Sequence, residues 1–523
     1  SGDFNYRLKN YRQPTYAESS IKYMWASSNF AVPRYPDGTY GLSSDGISPL
    51  VQAELRGVSH FKNNFGVANL KANIEILKGL NFESQYGITL GGLNQKIFSN
   101  AYEIRDYYDP SLIRQQVKTN SLTEIRDYSE QSTLNNLLTY QATAGKHEFK
   151  TLLGYSQVSY KYNYLSAGRK DFYNNDIQSI SQGSLSSRDN TGYESAWGLR
   201  SYFGRFNYNY AEKYFIELNG RYDGSSRFTG SNRYSFFPSV SGAWRISREE
   251  FWNSFSDVVN ELKIRGSWGK TGNQSVGLYS YLETLSALNY DFGGASVQGL
   301  YQSSVANSNL TWETTIQSDI GLDASFFKNK LGITFDYYNK RTEGILLYLP
   351  IPLTVGLNAP PQNAGSVENK GWELGISYRS AVKDFRYGLT FNISDVNNKI
   401  TSLAGTGPYI YNDYWVTTIQ EEGLPINSYI GYKADGFFKT QAEVDAYPTL
   451  FPGTKPGDLK YVDINKDGKL DAADMAYIGS DIPHFTFGLN MDLNYKSFDM
   501  NILFQGVGKV QAMIGEAAGN IEW

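Results

Sequence analysis

The stretch Phe485–Gly506, FTFGLNMDLNYKSFDMNILFQG, decides the fold. Its odd positions read Phe485, Phe487, Leu489, Met491, Leu493 and Tyr495, and its even positions Thr486, Gly488, Asn490, Asp492 and Asn494. Successive side chains of a strand point to opposite faces, so one face is apolar and the other polar or small. After Lys496 and Ser497 the pattern resumes, with Phe498, Met500, Ile502 and Phe504 set against Asp499, Asn501 and Gln505; Leu503 breaks the rule. Two alternating runs joined by two residues predict a tight antiparallel hairpin.

The same pattern recurs outward from there. Leu70, Ala72, Ile74 and Ile76 lead across Lys78-Gly79 to Phe82, Tyr86, Ile88 and Leu90; Phe206, Tyr208 and Tyr210 lead to Tyr214, Ile216 and Leu218. Ile320, Leu322 and Phe326 face Leu331, Ile333 and Phe335, and Trp372, Leu374 and Ile376 face Phe385, Tyr387 and Leu389. The chain therefore reads as all-β, with about sixteen strands of which many are about ten residues long. Strands of soluble sandwiches average about 5–6 residues, whereas a tilted strand crossing a bilayer needs about 9–11. That length favours a transmembrane antiparallel β-barrel with a wet interior over a secreted propeller or β-helix. Trp244, Trp268, Trp312 and Trp372, near predicted strand ends, suit the aromatic girdles of such a barrel.

Composition agrees. The 523 residues include 42 Tyr and 50 Gly, yet only 19% are charged. A wall with half of each strand facing lipid has little room for charge. No run of about 20 apolar residues exists to form a spanning helix; the nearest, Ile345–Leu353, is broken by Pro350 and Pro352. The absence of Cys removes disulfides and thiolate metal sites, and His60, His147 and His484 have no metal-ligand spacing. A net charge of −4 argues against nucleic acid as partner. The first residue is Ser and no signal-like segment follows, so the chain is expected to start inside a mature protein. Polar stretches at 94–130, 163–193, 272–311, 349–369 and 401–424 read as long loops, which a barrel carries on its external side.

Four segments carry a family resemblance: YDGSSRFTGSNRYSFFPSVSGAWRIS (222–247), LKIRGSWGKTGNQ (262–274), NSNLTWETTIQSDIGL (307–322) and NAGSVENKGWEL (363–374). With YKADGFF (432–438), PGDLKYVDINKDGKLDAAD (456–474) and the closing LFQG (503–506), they resemble TonB-dependent outer-membrane transporters of the SusC/RagA type. The resemblance implies a plugged barrel of about 22 strands in the outer membrane of a bacterium of the Bacteroidota. It also implies import of glycans or oligopeptides, a SusD-like surface lipoprotein as lid, and energy from TonB. The whole chain, 1–523, then reads as part of the barrel with a calcium-loop-like insertion at 456–480. The N-terminal plug, through which TonB would act, and the final strands are expected to lie outside it.

One motif carries metal chemistry. DINKDGKLDAAD sets Asp463, Asn465, Asp467, the carbonyl of Lys469, Asp471 and Asp474 at positions 1, 3, 5, 7, 9 and 12 of a calcium loop, with Gly468 at the bend. Hard oxygens at this spacing wrap one Ca2+, whose role here would be structural. Asp in place of Glu at position 12 is a shorter arm, and the competing reading is a hairpin tip of Asx-turns without an ion. Gly269-Lys270-Thr271 lacks the preceding glycine of a phosphate loop, since Ile264 stands there. No residue pattern indicates catalysis, and the chain is not expected to be an enzyme. Tyr409, Tyr411, Tyr414 and Trp415 are candidate substrate contacts, because aromatic faces stack on sugar rings; loop packing is the alternative. Import of an oligomeric nutrient is the leading functional expectation, ahead of a structural barrel within a larger outer-membrane assembly and of a secreted glycan-active enzyme.

Overall fold

The computed structural model describes residues 1–26, 32–42, 46, 48–413 and 416–513. Fifteen antiparallel strands form one sheet, and their spatial order is their order along the chain. They are β1 (Gly2–Pro14), β2 (Val58–Leu77), β3 (Leu80–Ser99), β4 (Ser121–Ala144), β5 (His147–Lys170), β6 (Asp189–Tyr210), β7 (Tyr214–Ser225) and β8 (Tyr234–Arg245). There follow β9 (Val259–Asn273), β10 (Glu313–Phe326), β11 (Leu331–Tyr348), β12 (Pro361–Val382), β13 (Phe385–Ser402), β14 (Phe485–Tyr495) and β15 (Phe498–Gly508). Every neighbouring pair is joined along the chain, as an up-and-down wall requires.

The two ends of the wall differ. At one end the connections are short, at 78–79, 145–146, 211–213, 327–330, 383–384 and 496–497, and only 246–258 is longer. Left-handed residues make these reversals, among them Gly79 and Lys496 with φ of 82° and 51°. A side chain on Gly79 would collide with the Gln141 carbonyl of β4. The opposite end carries the long segments, among them 100–120, 274–312 and 403–484. Short turns mark the periplasmic side of an outer-membrane barrel and long loops the external side.

The hairpins read from the alternation are present in the expected pairing: Leu489 lies opposite Phe504, and Leu374 opposite Phe335 and Ile393. The strands are longer than the sequence suggested. β4 and β5 each run 24 residues, so much of 94–130 and 163–193 is sheet and not loop. Alternation is legible only where one face meets lipid and the other water. Beyond the bilayer both faces are wet, so the strand continues without its signature.

The burial pattern is inverted relative to a soluble protein. Phe487, Met500, Phe504, Ile320, Phe335, Ile216, Ile264 and Trp268 share one face and are exposed, Ile320 by 66%. So large an exposed apolar surface is a partner surface, and on a continuous wall that partner is lipid. The buried clusters lie where strands pass into external loops: Phe98, Leu122 and Phe172; Val367, Ile400 and Leu403; and Phe228, Phe237, Val276, Leu310 and Trp312. Trp312 is thus no girdle residue. It is 5% exposed, packs on Phe228 and Phe237, and donates its Nε1–H to the Arg233 carbonyl at 3.2 Å.

Candidate functional site

The other face of the wall carries the polar groups. Unbroken register fixes which they are: Lys150 of β5 is paired with Asn207, Asn207 with Glu217, Glu217 with Ser241, and Ser241 with Ser267. Paired residues share a face, so this row lines the lumen while its sequence neighbours meet lipid.

At the centre of this face Arg265 of β9 gathers three carboxylates. Its Nη1 and Nη2 reach Asp336 Oδ1 and Oδ2 at 2.6 and 2.8 Å, its Nε lies 3.2 Å from Asp323, and Nη1 lies 3.5 Å from Asp319. Of the two Asp336 contacts, Nη2 to Oδ2 is the hydrogen bond, and Nη1 beside Oδ1 adds close charge pairing. On β7, Arg221 shares its single Nε–H between both oxygens of Asp223 at 2.7 and 2.8 Å and donates from Nη2 to Ser201 at 2.7 Å. Glu217 accepts from Asn219 at 2.8 Å and from Asn207. Between these groups lies an open cavity of about 530 Å³ lined by Glu148, Lys150, Asn207, Glu217, Lys263 and Arg265. Its lining combines these charged and amide groups with the rings of Phe149, Tyr208 and Phe215.

The external loop 403–484 holds the residues singled out for metal and substrate. It contains a four-stranded sheet (Tyr409–Asp413, Val416–Gln420, Ser428–Tyr432, Met475–Gly479) and a short helix α1 (Gln441–Ala446). In the DINKDGKLDAAD segment, Asp463 accepts from the N–H of Lys466 and Gly468 at 2.7 and 2.9 Å, Asn465 Oδ1 from Asp467 at 2.9 Å, and Asp467 from Lys469 at 2.9 Å. Asp471 caps a 3₁₀ turn (Ala472–Asp474) by accepting from Ala473 at 2.8 Å. Asp474 is fully buried and accepts from Asp471 and Ile464 at 3.0 and 2.9 Å. The Asp471 N–H, then those of Ile464 and Asn465, hold its carboxyl below the usual carboxylate range against the opposing effect of burial. The loop thus closes on itself through backbone N–H groups. Among the described residues no three His, Cys, Asp or Glu side chains gather into a metal-holding group.

The loop aromatics divide. Tyr409 packs on the cluster of Val367, Ile400 and Leu403 and bonds its hydroxyl to Thr406, so it holds the loop down. Tyr411, in the same short strand, is exposed. Tyr414 and Trp415 lie outside the described residues. A row of aromatics that sequence reading passed over stands on the lumen face of β5 and β6: Tyr160, Tyr162 and Tyr164 beside Trp197 and Tyr193. The signal is YKYNY (160–164), tyrosine at every second residue, which runs across the start of the polar stretch 163–193.

Comparison with known proteins agrees with this architecture. The family described as TonB dependent receptor-like, beta-barrel matches residues 4–507. TonB-dependent receptor P3 of Formosa agariphila is 33% identical over 483 residues, 90% of this chain and 47% of that protein. TonB-dependent receptor SusC of Bacteroides thetaiotaomicron is 30% identical over 391 residues, 72% of this chain and 37% of that protein. Among solved structures, the RagAB peptide importer in its closed-closed state superposes with a TM-score of 0.74 at 24% identity, over 91% of this chain and 52% of that one. The chain spans about half the length of the relatives it matches. It belongs to the TonB dependent receptor-like β-barrel family, in its SusC/RagA branch, and its fifteen strands are wall of an integral outer-membrane barrel.

Proposed function

We propose that the protein imports an oligomeric, hydrophilic nutrient, a glycan or an oligopeptide, across the outer membrane, with TonB as the source of energy and a SusD-like surface lipoprotein as partner. The observation that carries this reading is the lumen face: paired rows of Asn, Ser, Glu, Lys and Arg, with the Arg265 carboxylate network at their centre, offer a solute hydrogen bonds in place of water. Membership of a family of TonB-dependent receptors supports it. Deletion is expected to abolish growth on one class of oligomer and leave envelope integrity intact; a general envelope defect with normal uptake would instead assign a structural role.

A calcium ion in the Asp463–Asp474 loop is a further part of this proposal, and it rests on ligand spacing. Calorimetry of chelator-treated protein is expected to show Ca2+ binding that Asp467→Ala removes. Absence of heat would leave the loop closed by its own hydrogen bonds.

A further inference from the structure

β5 and β6 carry an aromatic row on their lumen face where the strands rise toward the external side. Tyr160 is paired with Trp197 and Tyr164 with Tyr193, in the register that also pairs Lys150 with Asn207 and shows no bulge between. The rings overlap across the strands: Tyr160 and Trp197 lie 5.7 Å apart at 26°, Tyr164 and Tyr193 5.2 Å apart at 27°, and Tyr162 stands 5.8 Å from Tyr193. Tyr193 is 56% exposed. Cross-strand packing alone accounts for stacked pairs, but not for what stands beside them.

Arg227, just past β7, places its guanidinium over the Trp197 ring, 5.5 Å from its centre. Nη1 donates to the Val276 carbonyl, which fixes the side chain against loop 274–312. Its Nε has no acceptor, and among the described residues no carboxylate pairs with it. Every other arginine on this half of the lumen face is matched: Arg221 with Asp223, and Arg205 with Glu217 and Asn219. Burial, with no neighbouring carboxylate to oppose it, pushes the Arg227 guanidinium pKa down. Of the Arg227 nitrogens, Nε is buried without an acceptor, and a buried donor of a cation left unpaired carries a cost that an arriving anion removes.

We propose that Trp197, Tyr160, Tyr162, Tyr164, Tyr193 and Arg227 form a binding subsite at the external mouth of the lumen for an acidic saccharide. Its sugar rings lie on the aromatic faces and its anionic group pairs with Arg227. Sugar rings present apolar C–H faces that aromatic rings cover, and a planar guanidinium takes a carboxylate or a sulfate in the same forked geometry. This assigns a substrate class to the lumen and so rests on the import reading.

The test is calorimetric titration of the full-length protein in detergent with four probes of matched length: a uronate oligosaccharide, a sulfated oligosaccharide, a neutral oligosaccharide and an acidic peptide. At least one anionic sugar is expected to bind about tenfold more tightly than the neutral one, and which of the two does so identifies the source of the charge. Arg227→Gln is expected to erase that preference and Tyr193→Ala to weaken all sugars, while Trp197→Phe removes the accompanying fluorescence change. Equal affinity for neutral and anionic sugars, tighter binding of the peptide, no binding of any probe, or an unaltered preference in Arg227→Gln would overturn the assignment. The ranking of probes on the unsubstituted protein decides the matter even where a variant does not fold. Normal uptake in a deletion strain would overturn the import reading alone; failed binding beside a genuine uptake defect would overturn the subsite alone.

Discussion

Gly321 of β10 stands directly opposite Arg265 of β9, and a methyl group on it would come within 2.5 Å of Arg265 Nη1 and 2.6 Å of Asp336 Oδ1. The bare backbone lets the guanidinium lie across one strand and reach a carboxylate on the next. Gly321→Ala is therefore expected to push the Arg265 guanidinium off Asp336 and destabilise the barrel by about 1–3 kcal/mol. Denaturant unfolding in detergent measures this. Gly242→Ala, where the nearest atom is the Phe215 carbonyl at 3.7 Å, is the control and is expected to change little.

The adjacent residue tests the assignment of faces. Ile320 points away from the lumen near the middle of β10, so Ile320→Arg is expected to cost about 2–4 kcal/mol in a bilayer. Thr334→Arg, paired with Asp323 on the lumen face, is expected to be tolerated. Urea titration of folding into lipid vesicles compares the two, and equal costs would refute the orientation of the wall.

Trp312 anchors the external loops. Trp312→Ala empties the centre of a cluster that joins 226–233 to 274–312 and is expected to cost about 3–5 kcal/mol locally. Trp312→Phe keeps a ring against Phe228 and Phe237 but leaves the Arg233 carbonyl without its donor, a loss of about 1 kcal/mol. Hydrogen exchange is expected to rise in these loops and not in β2–β5.

Glu249 ties periplasmic connections together, accepting from Lys213 Nζ at 2.8 Å, the Tyr214 hydroxyl at 2.7 Å and Trp244 Nε1 at 3.1 Å. These donors, Lys213 first, pull its carboxyl down to about 2. The folded value lies below that of an unfolded glutamate, about 4.3. Its stabilisation is therefore complete above about pH 5 and fades as pH falls toward 2. Glu249→Gln is expected to remove this part of the acid dependence, seen as a flatter profile of melting temperature between pH 5 and pH 2.

Legibility followed the solvent. Where a strand separates lipid from water, its residues declare their faces, and Phe485–Tyr495 with Phe498–Gly508 stand as the alternation predicted. Where both sides are wet, as along Ser121–Glu130 and Asn163–Lys170, strand and loop have the same composition, and the sequence reads sheet as loop. Trp312 was misplaced for a related reason. A tryptophan at a strand end suits an interface or a loop-covered cluster equally, and only the fold of 274–312 over it chose the cluster.

The sequence by itself determined that this chain is a wall of antiparallel hairpins with an apolar and a polar face, because period two is a property of each strand alone. It also marked the end that carries long loops and held a recognisable family signature. What only the tertiary structure decided is which polar residues become neighbours. Arg265 meets Asp336, and Tyr160 meets Trp197, through register between strands, and Arg227 reaches Trp197 because a loop returns over the sheet. Alternation assigns a residue to a face; register and loop packing choose its partners. A channel's chemistry depends on those partners.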